Sequence, residues 1–263
     1  MMKKWLLAGL MALCSMAAMG REIKAGVQCT YPPFNYRDAS GELKGFEIDI
    51  AREIGRRINA NVQFVCLGFD GLIPALLSKK IDIVTSSLSI TETRKKSIDF
   101  SVPYRASTAR FVGRKNAGLH PMKADNTPNP DSLKGKVVGV QRATTNDSYL
   151  AGEFPGVEIS RYDSAENMLL DLVAGRIDLA LVSPMKVRTD FLEKPEGRNY
   201  EFVGPEIEAP KYLGDGVAVG LQKGSTALRD EINAALQGMF ADGTFKAINQ
   251  KYWTFSVLPA VWH

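Results

Sequence analysis

The chain has 263 residues, of which 45% are hydrophobic and 24% are charged, and its formal net charge is +4. Without residues 1–20, which contain two lysines and no acid, the charge falls to +2. This small charge and the lack of an arginine-rich stripe argue against a nucleic-acid-binding protein. The remaining residues are enough for one large domain or for two modest lobes.

The N-terminal residues have the order of a secretory signal peptide. Lys3 and Lys4 precede the apolar run 5–18, and charged residues follow Gly20. This order predicts a signal peptide over 1–20, cleavage after Gly20 and export to the periplasm. A membrane anchor is the alternative, but the apolar run is shorter than the ~20 residues that span a bilayer.

Short apolar runs and segments of helical periodicity alternate along the first third of the chain. Ile50, Ile54 and Ile58, for example, lie on one face of a predicted helix. This alternation is typical of parallel sheets covered by helices and predicts an α/β fold. The predicted elements are strands over 23–28, 62–66 and 81–86 and helices over 46–58 and 71–78.

Part of this pattern recurs later in the chain. Residues 76–84, LLSKKIDIV, match residues 172–180, LVAGRIDLA, at an offset of 96. The tripeptide Gly-Val-Gln occurs at 26–28 and again at 139–141, each time at the end of a predicted strand. Either match alone is weak, because α/β units resemble one another. Two matches in the same order predict two similar lobes.

The remaining segments complete the predicted domain organisation. Residues 115–132 are rich in Gly, Pro and Asn, which indicates a loop within the second lobe. Residues 228–252 have helical periodicity and are expected to pack on the first lobe. The chain would then cross between the lobes twice, which makes a hinge beside a ligand-binding cleft. The predicted boundaries are 21–106 plus 217–263 for lobe 1 and 107–216 for lobe 2.

A loop of hydroxyl side chains is the strongest functional signal. Residues 86–91, SSLSIT, follow a predicted strand and lead to Arg94 in the next helix. The carboxyl end of a strand and the amino end of a helix favour an anion, and arginine offers two parallel donors to a carboxylate. The alternatives are a solvated Arg94 and a capping role for Ser87 and Ser89.

Two of the three cysteines, Cys29 and Cys66, lie beyond the signal peptide. They form a disulfide if their strands are neighbours and are otherwise two buried thiols, and the sequence leaves both states open. Neither has a second ligand at a usable spacing, and the chain has only two histidines, His120 and His263. We therefore expect no metal and no cofactor.

Several short motifs, taken in order, resemble one protein family. They are Tyr31-Pro32-Pro33-Phe34, GFEID at 45–49, FDGLIP at 69–74, the segment 80–94 and AGRID at 174–178. Over nearly all of residues 23–257 the chain resembles the bacterial extracellular solute-binding proteins of the polar-amino-acid family. That family includes the lysine/arginine/ornithine- and histidine-binding proteins of ABC importers. The resemblance implies the two-lobed periplasmic binding protein fold of type II.

The resemblance also implies a set of ligand-binding residues. In this family an arginine and hydroxyl groups of one lobe hold the α-carboxylate of the ligand, together with backbone amides of the other lobe. Two aromatic side chains enclose the side chain of the ligand. The matching positions are Arg94, Ser87 and Ser89 for the first lobe, Thr144, Thr145 and Gln141 across the cleft, and Tyr31 and Phe69 for the aromatic walls.

Two positions depart from the family pattern. Gln28 stands where members that bind cationic side chains have an aspartate, and a neutral amide cannot offset a buried charge. Ser183 stands where an aspartate usually holds the α-ammonium. Loss of that carboxylate would cost about 2–5 kcal/mol. Either another acid replaces it, or the ligand is an opine-like conjugate or another small carboxylate and not a free α-amino acid.

These observations predict a monomeric periplasmic receptor that captures an amino acid or a derivative by hinge closure and passes it to an inner-membrane ABC permease. No catalytic motif is present, and we expect no enzyme activity. One alternative is a dehydratase of the cyclohexadienyl or arogenate type, which has the same fold but needs a general acid in the cleft. Another is a ligand sensor for a membrane receptor, which would share every feature of the site.

Overall fold

The computed structural model describes residues 20–258, so the predicted signal peptide lies outside the described residues except for Gly20. The strands are β1 (Arg21–Val27), β2 (Thr30–Tyr31), β3 (Asn35–Arg37), β4 (Leu43–Lys44), β5 (Ala60–Cys66), β6 (Ile83–Val84), β7 (Ile98–Phe100), β8 (Ala109–Arg114), β9 (Val137–Gln141), β10 (Glu158–Tyr162), β11 (Leu179–Val182), β12 (Tyr200–Ile207) and β13 (Gly220–Gln222). The helices are α1 (Phe46–Arg57), α2 (Phe69–Leu77), α3 (Glu92–Lys95), α4 (Thr145–Glu153), α5 (Ala165–Val173), α6 (Pro184–Val187), α7 (Pro210–Leu213), α8 (Thr226–Ala241) and α9 (Thr244–Gln250).

Two five-stranded mixed sheets, flanked by helices, form the predicted two-lobed α/β fold. The first has the order β5-β1-β6-β13-β7, in which β1 is parallel to β5 and β6 and β13 is antiparallel to its neighbours. The second has the order β10-β9-β11-β8-β12, with β8 antiparallel to β11 and β12. The chain passes to the second sheet between Phe100 and Ala109 and returns between Ile207 and Gly220.

The two lobes repeat a packing detail that matches the sequence repeat. A Cβ atom added at Gly26 would lie 2.4 Å from Cδ1 of Ile81, and one added at Gly139 would lie 2.4 Å from Cδ1 of Ile177. Both isoleucines begin the Ile-Asp dipeptide of the repeated segment. A side chain at either glycine would displace the isoleucine, because the chain after the helix packs directly on β1 in one lobe and on β9 in the other.

The C-terminal segment forms two helices where the sequence predicted one helical stretch. Gly243 has φ +82°, a left-handed conformation that ends α8 and turns the chain into α9. Phe245 and Trp253 then pack edge-on against Phe46 of α1, with ring centroids 5.7 and 5.1 Å apart. These contacts hold the C-terminal segment against the first sheet's helices.

Cys29 and Cys66 form a disulfide, with their Cα atoms 5.6 Å apart. The pairing follows from the sheet, because β1 and β5 are parallel neighbours and Val27 lies opposite Cys66. A disulfide fits an exported protein. Among residues 20–258, no helix combines the length and the apolarity needed to cross a bilayer.

Candidate functional site

A cavity between the two lobes has an empty volume of about 470 Å³, counted out to the bulk solvent. All of the ligand-binding residues predicted from the sequence line it, namely Gln28, Tyr31, Phe69, Ser87, Ser89, Arg94, Gln141, Thr144, Thr145 and Ser183. Five residues that were not predicted also line it, namely Arg105, Ser107, Thr108, Asn146 and Val217.

The hydroxyl loop that follows β6 is fixed by a buried carboxylate. Ser87 has φ +51°, which non-glycine residues rarely adopt. Oε1 of Glu47, on α1, accepts hydrogen bonds from the backbone N–H of Ser87 at 2.8 Å, from its hydroxyl at 3.0 Å and from the Tyr104 hydroxyl at 3.1 Å. Nδ2 of Asn35 donates to Oε2 at 2.8 Å. Glu47 is completely buried, and these donors replace its hydration.

Arg94 extends from α3 back across the hydroxyl loop. The helix is capped by Thr91, whose hydroxyl accepts the backbone N–H of Arg94 at 3.2 Å. Nη1 of Arg94 donates to the carbonyl of Ser89 at 2.9 Å, and Nη2 donates to the carbonyl of Ala143, on the second lobe, at 3.2 Å. The guanidinium carbon lies 5.6 Å from the centre of the Phe69 ring. Burial lowers the pKa of Arg94 to about 10, so the guanidinium is still charged at neutral pH.

The second lobe presents the amino end of α4 to the same cavity. The hydroxyl of Thr144 accepts the backbone N–H of Asp147 at 3.2 Å and donates to the carbonyl of Gln141 at 2.7 Å. The backbone N–H groups of Thr145 and Asn146, in the first turn, have no acceptor among residues 20–258. A helix amino end carries partial positive charge. Both lobes therefore offer donors suited to an anion.

Tyr31 and Phe69 supply aromatic surface to the cavity, and each is only 8% exposed. Phe69 lies in the first turn of α2, which begins two residues earlier than predicted. Tyr31 stacks on Phe34 with ring centroids 5.6 Å apart, and its hydroxyl is hydrogen-bonded to the side chain of Ser183. Burial raises the pKa of Tyr31 above its ordinary value, so the phenol is neutral.

The two positions that depart from the family pattern both face the cavity without an acid to compensate. Gln28 follows β1 and is 7% exposed, and Ser183 follows β11 and precedes α6. Among the described residues that line the cavity there is no Asp or Glu. Of the two alternatives left open by the sequence, replacement of the missing acids by another acid of the cavity lining is therefore not observed. Across residues 20–258, no three His, Cys, Asp or Glu side chains are grouped so as to hold a metal ion.

Three buried charged residues around the cavity were not singled out from the sequence: Arg105, Glu47 and Lys186. Lys186, on α6, forms an ion pair with Asp190, and its Nζ lies 5.5 Å from the centre of the Tyr31 ring. Burial lowers the pKa of Lys186. All three share one sequence signal that could have identified them, because each has an apolar residue on both sides.

Comparison with known proteins gives a consistent result. The sequence profile of the bacterial extracellular solute-binding proteins, family 3, matches residues 23–255. The L-arginine-binding protein of Pseudomonas aeruginosa is 38% identical over 262 residues, which cover 97% of this chain and 98% of that protein. The histidine-binding periplasmic protein of Salmonella typhimurium is 40% identical over 248 residues, which cover 94% of this chain and 93% of that protein.

Solved structures agree with the sequence relatives. An ancestral arginine-binding protein bound to arginine superimposes with a TM-score of 0.79 at 32% identity, covering 89% of this chain and 99% of that one. A Salmonella typhimurium periplasmic binding protein with high arginine specificity gives a TM-score of 0.80 at 30% identity, covering 89% and 100%. The family predicted from the motifs is confirmed, and the chain belongs to the bacterial extracellular solute-binding proteins, family 3.

Proposed function

We propose that this protein is a periplasmic receptor of an ABC importer and that it captures an amino acid or an amino-acid derivative between its lobes. Relatives at 37–40% identity are named for binding arginine, histidine, or lysine, arginine and ornithine. The observation that carries the proposal is a cavity to which both lobes contribute polar donors and the first lobe contributes two aromatic walls.

We assign the carboxylate of the ligand to Arg94. The guanidinium is charged and half-buried, and in residues 20–258 it bonds only to the carbonyls of Ser89 and Ala143. A carboxylate is a stronger acceptor than a carbonyl, because both partners are then charged. The hydroxyl of Ser89 and the backbone N–H of Thr145 would complete its hydrogen bonds, whereas the hydroxyl of Ser87 lines the site but already donates to Glu47.

The remainder of the ligand would lie between the rings of Tyr31 and Phe69. Flat aromatic surfaces exclude water from both faces of an extended side chain. Four polar side chains around the rings would orient it: Gln28, Gln141, Thr144 and Ser183.

Capture would occur by hinge closure. The proposed lobes are 21–106 plus 217–263 and 107–216, and the two crossings between the sheets serve as the hinge. A ligand that contacts both lobes binds the closed form better and shifts the population towards it. The inner-membrane permease would recognise that closed form. Since one chain supplies both sides of the cavity, a monomer is sufficient.

The proposed location is the periplasm, reached through the signal peptide of residues 1–20. The relatives include proteins named as periplasmic. The Cys29–Cys66 disulfide supports an oxidising compartment.

The protein is a binding protein and not an enzyme, since its family and its named relatives are binding proteins. A dehydratase would need a general acid in the cleft. Among the described residues that line the cavity there is no Asp, Glu or His. A ligand sensor would use the same site with another partner, and loss of ligand import in a strain lacking the protein would distinguish the two roles.

The direct test is to identify the ligand that the protein retains. The protein is purified under native conditions and then unfolded, and the small molecules that it releases are identified by mass spectrometry. We expect one carboxylate-containing compound near one equivalent per chain. Adding this compound to refolded protein should reduce the radius of gyration in small-angle scattering, since the lobes close. If no amino acid or derivative is recovered, and a panel of them leaves the scattering unchanged, the proposal is wrong.

A further inference from the structure

The cavity carries an excess of positive charge. Its lining includes Arg94 and Arg105 and, among the described residues, no Asp or Glu. A zwitterionic amino acid would bring one carboxylate for two guanidinium groups, and free arginine or lysine would add a further cation. Because an uncompensated buried charge is costly, the charge of the site bears directly on the charge of the ligand.

Arg105 makes fewer hydrogen bonds through its guanidinium than Arg94 does. It is 4% exposed, its Nη1 donates only to the carbonyl of Ala106 at 3.2 Å, and its guanidinium carbon lies 4.5 Å from the centre of the Phe34 ring. Its Nε is buried and has no hydrogen-bond partner in residues 20–258. An arginine buried in this way normally has a hydrogen-bonded acid beside it.

Glu47 is the acid nearest to Arg105, but its oxygens are already used. Oε1 of Glu47 lies 4.0 Å from Nη2 of Arg105, so the two charges form an ion pair but no hydrogen bond. The same oxygen accepts three shorter bonds, two from Ser87 and one from Tyr104. Glu47 therefore fixes the hydroxyl loop and leaves donors of Arg105 without an acceptor.

One small ligand can reach both arginines. Val217 forms antiparallel bridges with Ser89 on one side and with Arg105 on the other. Neighbouring strands are ~4.8 Å apart, so the backbone at Ser89, to which Arg94 is bonded, lies only ~10 Å from the backbone at Arg105. The hydroxyls of Ser89 and Ser107, 2.9 Å apart, lie on these same segments and line the cavity.

The other end of the cavity also lacks an acid. Ser183 bonds to the Tyr31 hydroxyl, and the ammonium of Lys186 lies 5.5 Å from the centre of the Tyr31 ring. The charge of Lys186 is balanced by Asp190, which does not line the cavity. An α-ammonium would meet hydroxyl groups here and no carboxylate. The site is therefore better matched to negative than to positive groups.

We infer that the ligand carries two carboxylates, one held by Arg94 and a second beside Arg105, as in an acidic amino acid or an opine with a second carboxylate. This inference rests on the proposed receptor function and names the class of its ligand. It separates this chain from its arginine-binding relatives, because free arginine would bring two cationic groups and only one carboxylate to a cavity lined by two guanidinium groups.

Calorimetry with matched ligands tests the inference. L-glutamate and L-glutamine have nearly the same shape and differ by one carboxylate. Octopine is L-arginine with a 1-carboxyethyl group, and so a second carboxylate, on its α-nitrogen. We expect glutamate to bind at least ten-fold more tightly than glutamine, or octopine at least ten-fold more tightly than arginine. Free arginine or lysine binding as tightly as either dicarboxylate would overturn the inference and leave the receptor function intact. Failure of all five to bind would overturn it as well.

Two variants assign the second carboxylate to Arg105. Arg105→Met should reduce the preference for the dicarboxylate by at least ten-fold, whereas Arg105→Lys should keep most of it, since the charge remains. Arg142→Met, which removes an arginine paired with Asp163 at the surface, is the matched control and should leave the preference unchanged. A full preference in Arg105→Met would overturn the assignment. If that variant does not fold, an Arg105→Lys protein that folds but has lost the preference would contradict it equally.

Discussion

Glu47 connects the ligand site to the stability of the first lobe, and its replacement by glutamine is a sharp test of that connection. The carboxylate accepts four hydrogen bonds of 2.8–3.1 Å and is the acid nearest to Arg105. Glutamine has the same shape but only one oxygen. In the Glu47→Gln protein, the NH₂ group of the glutamine would take the place of one of the two carboxylate oxygens. Because this group cannot accept a hydrogen bond, either Asn35 or the donors of Ser87 and Tyr104 would lose their acceptor.

The expected cost is large, because the site is completely buried. A buried donor left without an acceptor costs about 1–3 kcal/mol. Removal of one partner from a buried charged group costs about 3–5 kcal/mol in all. We therefore expect Glu47→Gln to lower the free energy of unfolding by about 3–5 kcal/mol, which corresponds to a fall of about 6–20 °C in Tm for a protein of this size.

Urea unfolding followed by tryptophan fluorescence measures the change. The control is Glu92→Gln, at an exposed acid that pairs with Lys95 on the surface, where a loss of less than about 1 kcal/mol is expected. Ligand affinity should fall as well, because Ser87 is held at positive φ by Glu47. A Glu47→Gln protein as stable as the Glu92→Gln control would refute this account of the hydroxyl loop.

The remaining predictions concern stability. Reduction of the Cys29–Cys66 disulfide, which spans a sequence separation of 37, should lower the free energy of unfolding by about 3–4 kcal/mol, and an unchanged Tm with reductant would contradict this. Asp190→Asn should cost about 3–5 kcal/mol in urea unfolding because it leaves the wholly buried Lys186 unpaired. Lys186→Met should cost less than about 1 kcal/mol, because the side chain of Asp190 that it leaves unpaired is 30% exposed. Equal costs for Asp190→Asn and Lys186→Met would contradict this prediction. Gly139→Ala should lower Tm through an overlap with Cδ1 of Ile177 that costs about 1–3 kcal/mol, and a wild-type Tm would show that the site relaxes.

The sequence predicted the fold and the lining of the cavity because both depend on local order along the chain. Gln28, Ser87 and Ser183 each follow a strand closely and Gln141 ends one, and strand ends of parallel sheets meet at one edge. The repeated Ile-Asp dipeptide marks the same packing point in each lobe. A motif that identifies the residues at the end of a strand therefore also predicts which residues line the cavity.

The features that were missed depend on contacts between distant parts of the chain. Arg105, Glu47 and Lys186 are charged, and periodicity alone assigns charged residues to the surface. Their burial follows from partners in other elements, such as Asn35 and Tyr104 around Glu47. The disulfide likewise depends on the order of strands, which spacing in the sequence does not determine.

The most direct test of the central claim is the affinity of Arg94→Ala for the ligand recovered from the wild-type protein. Titration calorimetry of the refolded proteins gives both affinities, with Arg142→Ala as the control at a surface arginine. Removing one partner of a buried charged pair costs about 2–5 kcal/mol, which is about 30-fold to several thousand-fold in Kd. We expect a loss of this size for Arg94→Ala and none for the control. A Kd for Arg94→Ala within three-fold of wild type would contradict the claim that this receptor closes on a carboxylate.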